Sequence, residues 1–352
     1  IAALCVMLAY VGVLATQLKA AADIIVLLCA SSGIEISHGL ALTICTALIA
    51  IITVGGGLVS VAYSDAISAL LMIGGFFLAI PFLIGVANSQ GATLPPEKMT
   101  ITGGMSGWEL LGYFLPSLAL MLGDQNMLQR FASAKNSDEA KKSNIGMFIG
   151  EILVIISIVL VVTQAAKLYP TLDVPSNVIF QVAVDYLPLA FGALVMCACM
   201  AFIVTTADSY LLVSVQTCVH DIGKTIRPQM PERTEISLSR IFSIVLPLGA
   251  LVIALYIHNA YNILMFAWSF YAASAGIPAF AALFWKKATK TGVMAGLLGG
   301  FVVCVGWKLA GQPFGLGAAV PGTVACGIAL VVVSLATYKR APSVFLKAEK
   351  QS

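Results

Sequence analysis

The sequence predicts an all-α protein that crosses a membrane many times. Hydrophobic residues make up 60% of its 352 residues and charged residues only 10%, and the mean hydropathy is +0.99. Soluble domains carry roughly 25% charged residues. The apolar residues form long continuous runs instead of alternating with polar ones, which is the pattern of spanning helices and not of strands. A soluble fold is therefore excluded.

Ten segments are apolar and long enough to cross a bilayer, since a spanning helix needs about 20 such residues. In chain order they are residues 1–29, 38–54, 57–87, 107–127, 143–165, 186–219, 236–257, 261–285, 292–311 and 316–338. We therefore expect about ten transmembrane helices that form one membrane domain over residues 1–352.

The basic residues predict how these spans are oriented. Most of the 19 Lys and Arg residues fall in four places on one side: the connections after spans four, six and eight, and the tail. They are Arg130, Lys135, Lys141, Lys142, Lys224, Arg227, Arg233, Arg240, Lys286, Lys287, Lys290, Lys339, Arg340, Lys347 and Lys350. Cytoplasmic loops of membrane proteins are enriched in such residues. This side, with the C-terminus, is therefore expected to be cytoplasmic, in a plasma or inner cell membrane.

A few ionisable residues lie well inside the spans, where each is a functional candidate by default. Lys19 and Asp23 are four residues apart on one helix face and can pair with each other. Glu151 lies near the cytoplasmic end of its span and is expected to face an aqueous vestibule. Asp65 and Asp208 have no basic residue within a helical turn or two. A carboxylate without such a partner must bind a cation or a proton.

The segment around Asp208 places several oxygen atoms on one side of a helix. If Thr205 is set at 0°, helical geometry puts Ser209 at about 40°, Thr206 at about 100° and Asp208 at about −60°, with the Phe202 carbonyl at about 60°. These are hard oxygen ligands, which suit a hard cation such as Na⁺. The alternative is that the hydroxyls bond to carbonyls one turn earlier or to a neighbouring helix.

Helix-breaking residues interrupt two spans. Pro116 lies within span four, and Gly276 and Pro278 lie within span eight. Transporters use broken helices to expose backbone groups to a substrate, although a proline can also produce a simple kink.

The eight cysteines lie in or beside apolar runs, so we expect small buried side chains and no disulfides. No cofactor is expected, and no metal other than sodium.

Four stretches carry a family likeness: GGGLVSVAYSDAISALLMIGG (55–75), GDQNMLQRFASAKN (123–136), TTADSYLLVSVQTCVHDI (205–222) and ALFWKKATKTGVMAGLLGG (282–300). Together they resemble the sodium:solute symporter family, which includes the sodium–proline and sodium–glucose cotransporters. The resemblance implies the LeuT-type inverted-repeat fold, with span one as its third core helix. Core helices 3–12 would then be present, and the N-terminal helices one and two would be absent.

The resemblance also implies roles for individual residues. Thr205 and Thr206, with the carbonyl of Phe202, match the family's principal sodium site. Asp65 with Ser209 matches a second cation site found in some members. Asp208 departs from the family, which usually has an uncharged residue there, so a carboxylate pair with Asp65 could bind Na⁺ or share a proton.

The expected function is sodium-coupled symport of a small organic solute of the amino acid, sugar, carboxylate or vitamin class. Transport proceeds by alternating access without covalent chemistry, so the protein is not expected to be an enzyme. Its expected partners are the solute, Na⁺ and the lipid bilayer, and not nucleic acid. The residues expected to face the solute are Ser117, Leu120, Met121, Trp268 and Ser269. A sensor domain of a signalling protein and a proton-coupled transporter remain open as alternatives.

Overall fold

The structure is a computed structural model that describes residues 2–55, 58–94, 96–100, 102–169, 171, 175–256 and 260–338. Two features of the sequence analysis lie outside this range: Gly56 and Gly57 of the glycine run, and the tail that carries Lys339, Arg340, Lys347 and Lys350.

The described residues are mostly helical. The helices are α1 Ala2–Ser31, α2 His38–Gly55, α3 Leu58–Ser89, α4 Gly107–Gly123, α5 Gln125–Ala132, α6 Ser137–Leu168, α7 Val178–Asp185, α8 Leu189–Gln216, α9 Lys224–Ile226, α10 Glu232–Tyr256, α11 Ala260–Tyr271, α12 Ile277–Phe284, α13 Lys290–Leu309 and α14 Ala319–Thr337. Within these residues, nine helical segments are long and apolar enough to cross a bilayer. The tenth expected span is α4, a helix of only 17 residues.

The break in span four is not at Pro116, as the sequence predicted. Helix α4 continues through Pro116 and ends at Gly123. The chain then turns at Asp124, whose side chain accepts a hydrogen bond from the Asn126 amide and caps α5. Prolines are tolerated inside membrane helices because neighbouring groups satisfy the freed carbonyl, whereas a capping carboxylate begins a new helix.

The break in span eight is confirmed, and it takes the form of a π-helical turn. Residues Ala272–Gly276 form this turn between α11 and α12. Such turns are common at functional sites, because the extra residue locally disrupts the ordinary hydrogen-bond ladder. Gly276 is required by packing: a Cβ atom there would lie 2.6 Å from the Ala119 carbonyl oxygen of α4.

Helices α13 and α14 form a seam that depends on glycine. Gly292, Gly296 and Gly300 repeat every four residues along α13 and therefore share one face. A Cβ atom on Gly296 would lie 2.9 Å from the Leu330 Cβ, and one on Gly300 would overlap the Ala273 carbonyl of the π-helical turn. Small residues at this spacing allow helix backbones to approach closely in membranes.

Helices α1 and α8 form the centre of the bundle. Helix α1 packs against α2, α8, α10 and α11, and α8 packs against α1, α2, α3 and α10. Their central side chains are completely buried, as at Leu14, Leu18 and Leu211. Helix α2 also packs against α10, so α1, α2, α8 and α10 form one contiguous unit. This unit encloses the polar segment of α8 within the bundle.

Two further polar contacts hold acidic side chains, and the sequence predicts the first of them. The predicted Lys19–Asp23 pair is present at 3.9 Å, and His38 Nε2 lies 2.6 Å from Asp23 Oδ1. The connection after α6 contains the short helix α7, at whose end Asp185 accepts a hydrogen bond from the Tyr169 hydroxyl. Burial, together with this hydrogen bond, raises the pKa of Tyr169 above its usual range.

The prediction of buried cysteines holds at six of the eight positions, whereas Cys29 is half-buried and Cys197 is exposed. All eight thiols are free. Cys199 is buried, but Cys197 is on the exposed side of the same helix, because two residues rotate the side chain by about 200°. Glu151, which the sequence analysis places beside an aqueous vestibule, is exposed on the outer surface of α6.

Candidate ion and solute site

The polar segment of α8 lies in the interior of the bundle. Thr205, Asp208 and Ser209 are at most 7% exposed, and Thr206 is half-buried. Buried polar groups are costly unless they have partners, so the contacts of each side chain show what this segment can do.

Thr205 and Phe202 bring two oxygen atoms together. The Thr205 hydroxyl donates to the Phe202 carbonyl at 3.1 Å, so both atoms could coordinate one cation. The same bond is also the back-bonding alternative considered from the sequence. The Thr206 hydroxyl makes no hydrogen bond to any described residue and is therefore available as a third oxygen.

Arg130 joins two of the predicted sodium ligands. Its Nη2 atom lies 2.6 Å from Asp65 Oδ2 on α3 and donates to Ser209 Oγ on α8 at 2.8 Å. Asp65 is therefore not an unpaired carboxylate, as the sequence suggested, because the arginine lies in α5, 65 residues further along the chain. The cation that bridges Asp65 and Ser209 is therefore the guanidinium group of Arg130, at the position where the sequence predicts a sodium ion.

Asp208 has a different partner from the one predicted. Its carboxylate accepts a hydrogen bond from the hydroxyl of Thr53 on α2, whereas the expected neighbours were Asp65 and Ser209. The reason is geometric: adjacent residues on a helix point about 100° apart, so Asp208 faces α2 while Ser209 faces α3 and α5. The Thr53 hydroxyl also lies 3.0 Å from the Ile49 carbonyl.

The residues expected to face the solute occupy two regions. Leu120 and Trp268 belong to one cluster of apolar side chains at the centre of the bundle, beside Tyr10. The Trp268 indole nitrogen is buried and has no hydrogen-bond partner among the described residues. Ser269 instead lines a cavity between α4, α11 and α13.

The remaining two residues expected to face the solute, Met121 and Ser117, are less enclosed. Met121 is 47% exposed. The Ser117 hydroxyl donates to the Tyr113 carbonyl within α4 at 2.9 Å. The structure therefore does not bring all five residues together.

Sequence reasoning missed a buried network beside this region. Tyr10 on α1 donates to Asp124 at 2.6 Å and accepts from the Gln125 amide at 2.9 Å. Its ring stacks on Tyr271 and meets Tyr210 edge-on. The only indication of this network in the sequence is the polar motif around Asp124, because a tyrosine inside an apolar run does not reveal its hydrogen-bond partner. The network fixes the α4–α5 break against α1, α8 and α11.

Cavities lie near both ends of the bundle. One of about 580 Å³ lies between α2, α8 and α10, with Thr53 and the charged residues Glu232, Glu235 and Arg240 in its walls. The other, of about 230 Å³, includes Glu109, Ser269 and Lys308 and lies at the opposite end. Among the described residues, no three His, Cys, Asp or Glu side chains converge as metal ligands do.

Comparisons with known proteins agree with this architecture. A high-affinity proline transporter of Bacillus subtilis is 27% identical over 319 residues, covering 86% of this chain and 66% of the relative. A sodium/proline symporter of Haemophilus influenzae is 26% identical over 321 residues, covering 84% and 64%. The chain thus spans 64–66% of the length of these curated relatives.

A solved structure shares the fold. It is the substrate-bound, outward-open state of a Na⁺-coupled sialic acid symporter, with a TM-score of 0.70 at 17% identity. The match covers 97% of this chain and 74% of that one.

These findings define a multi-pass membrane protein with the LeuT-type fold of secondary transporters. The model of the sodium:solute symporter family matches residues 1–300, and the chain belongs to that family. The resemblance inferred from the four sequence stretches, and the fold it implied, are therefore confirmed.

Proposed function

We propose that the protein is a sodium-coupled symporter that carries a small organic solute into the cell by alternating access. The observation that carries this proposal is the oxygen-rich segment of α8, enclosed in a family member whose relatives include sodium/proline symporters. One Na⁺ moving down a membrane potential releases about 2.3 kcal/mol per 100 mV, enough for roughly fiftyfold accumulation of a solute.

The principal sodium site consists of the Phe202 carbonyl and the hydroxyls of Thr205 and Thr206. Three neutral oxygens on one helix suit a monovalent hard cation, which other helices must surround with further oxygens. The 3.1 Å separation of the Thr205 and Phe202 oxygens supports this assignment, as does the free Thr206 hydroxyl.

The second site, assigned by resemblance to Asp65 and Ser209, is already bridged by Arg130. A sodium ion there must displace the guanidinium group or share Asp65 with it. Asp208 remains a proposed contributor, but its carboxylate must first turn from Thr53.

The solute binds in the centre of the bundle, beside Trp268 and Leu120, and passes Ser269, Ser117 and Met121. The Trp268 indole supports this path because its buried N–H has no partner among the described residues and can donate to a solute. The basic loops face the cytoplasm, so the 580 Å³ cavity is the inner one and the 230 Å³ cavity the outer one.

Radiolabelled uptake by the full-length natural protein in proteoliposomes tests the proposal. A panel of L-proline, glycine betaine, D-glucose and pyruvate is offered with an inward Na⁺ gradient or with choline in its place. Uptake of at least one solute is expected to require Na⁺. Equal uptake with choline would reject sodium coupling.

The double variant Thr205→Ala, Thr206→Ala tests the principal site. Removing two of three oxygens on α8 is expected to raise the Na⁺ concentration for half-maximal uptake at least tenfold. Thr43→Ala is the matched control, because Thr43 is exposed on α2 and bonds only to the Gly39 carbonyl. An unchanged Na⁺ requirement in the double variant would remove these residues from the ion site.

A further inference from the structure

The outer cavity has both charges of a zwitterion-binding site in its walls. It lies between the start of α4, the second half of α11 and the connection from α13 to α14, and its volume is about 230 Å³. Drug-sized ligands occupy pockets of about 300–1,000 Å³, so this cavity suits a smaller molecule. Its walls include the cationic Lys308, the anionic Glu109 and the side chains of Tyr113, Phe266, Ser269 and Gln312.

The two charged side chains do not neutralise each other. None of the ion pairs among the described residues involves Lys308, whose Nζ atom lies 5.9 Å from the centre of the Phe266 ring. Glu109 Oε2 accepts hydrogen bonds from the Ser106 amide at 2.7 Å and the Ser106 hydroxyl at 2.8 Å. Because neither bond involves a cation, both charges remain available to a ligand.

The connection from α13 to α14, which forms the third wall of the cavity, has an unusual backbone conformation. Gln312 and Phe314 have φ angles of 56° and 62°, in the left-handed region that residues other than glycine rarely adopt. The Trp307 indole donates to the Leu316 carbonyl at 3.0 Å and holds this connection against α13. Unfavourable backbone conformations persist where the surrounding structure fixes them, and they cluster at ligand sites.

We propose that this cavity is an outer binding site for a small zwitterion, and that the solute of the symporter belongs to this class. The Lys308 ammonium receives the solute's carboxylate, the Glu109 carboxylate receives its amino group, and Phe266 and Tyr113 contact its apolar part. Ser269 lies between Trp268 and Phe270 of the central cluster in the sequence of α11, so this wall of the cavity adjoins that cluster. The inference rests on the proposed function, because a site at this end serves a solute that enters from outside.

Lys308→Gln in the full-length protein tests the carboxylate contact, with L-proline as the probe. We expect at least a tenfold increase in the proline concentration for half-maximal binding and uptake, while the Na⁺ requirement stays within twofold of the parent. Lys308→Arg should retain most of the affinity. Lys290→Gln is the control, because Lys290 is an exposed lysine at the other end of α13.

Glu109→Gln tests the amino-group contact. The amide can still accept the hydrogen bonds from Ser106, so the start of α4 is retained. The parent protein should prefer L-proline to both prolinamide and N-acetylproline. Lys308→Gln should lose the first preference and Glu109→Gln the second.

A third variant fills the cavity without removing a charge. No atom outside its own helix lies within 4 Å of a Cβ atom at Gly112, so Gly112→Leu can fold and should block proline binding.

Normal proline affinity in the folded Lys308→Gln and Gly112→Leu proteins would overturn the outer site while leaving the symporter assignment intact. Na⁺-driven uptake of only glucose or pyruvate would overturn it in the same way. Solute uptake that does not depend on Na⁺ would instead count against the proposed function. In that case, equilibrium binding of proline to the parent and variant proteins would still show whether the cavity is a zwitterion site.

Discussion

At the scale of single residues, Arg130 connects three helices through one guanidinium group. Arg130→Gln is expected to lower stability by about 1–3 kcal/mol, because Asp65 and Ser209 both lose their partner. Melting of the detergent-purified protein, followed by size-exclusion chromatography, measures the loss. Asp65→Asn combined with Arg130→Gln should cost less than the sum of the two single changes. Strict additivity would show that the pair contributes nothing.

Thr53 supplies the hydrogen bond to the buried Asp208 carboxylate. Thr53→Val keeps the shape of the side chain but removes the donor, so we expect a loss of about 1–3 kcal/mol in the free energy of unfolding. Thr53→Ser should retain the parent's melting temperature. A fully stable Thr53→Val protein would contradict the prediction.

The role of Asp208 is separable from its contribution to stability. Asp208→Asn should restore much of the stability lost in Thr53→Val, because the amide carries no charge that needs a donor. If Asp208 also ligates sodium, the single change Asp208→Asn should raise the Na⁺ concentration needed for half-maximal uptake. An unchanged Na⁺ requirement would confine this carboxylate to packing between α8 and α2.

The polar side chains of α8 and their directions could be predicted from the sequence, but their hydrogen-bond partners could not. Helical geometry places Asp208 and Ser209 on different sides, and the structure agrees. Thr53 lies 155 residues from Asp208, and Arg130 lies 79 residues from Ser209. One sequence does not specify such long-range pairs: Arg130 stands out only as a basic loop residue within a family motif, and nothing in the sequence marks Thr53 as a partner of Asp208.

At the scale of helices, the contact between α4 and the π-helical turn depends on Gly276. Gly276→Ala would place a methyl group 2.6 Å from the Ala119 carbonyl oxygen, so α4 and the turn must separate. We expect a loss of about 1–3 kcal/mol in stability, measured by the same melting assay. Gly249→Ala on α10 is the matched control, because a Cβ atom there meets no atom within 4 Å. That change should be neutral or stabilising by up to about 1 kcal/mol, and equal melting temperatures for the two variants would contradict the packing argument.

The existence of the helices was predictable, whereas their breaks were only partly so. Long apolar runs require helices in lipid, and nine segments among the described residues satisfy that requirement. Pro116 indicated a break that is absent, because a membrane helix can accommodate a proline when packing satisfies its surroundings. The break at Asp124 depends on the contact with Tyr10 from a distant helix, which no local pattern reveals.

At the scale of the whole molecule, the basic loops predict which side faces the cytoplasm. Single cysteines at Gln90 and Lys287, both exposed, test this orientation in intact cells. A membrane-impermeant maleimide should label Gln90→Cys from outside, and label Lys287→Cys only after the membrane is permeabilised. Labelling of the parent protein corrects for its eight native thiols. The reverse pattern would invert the orientation and exchange the inner and outer cavities.

The glycine seam of α13 also determines how the protein can change over generations. Every single-base change in a glycine codon either keeps glycine, adds a larger side chain or ends the chain. At Gly292, Gly296 and Gly300 any added side chain meets α14 or the π-helical turn, so no amino-acid replacement there is neutral. Helix α6 faces outward over most of its length, and exchanges among its apolar residues cost little. Inherited variation should therefore accumulate along α6 and be purged along the seam.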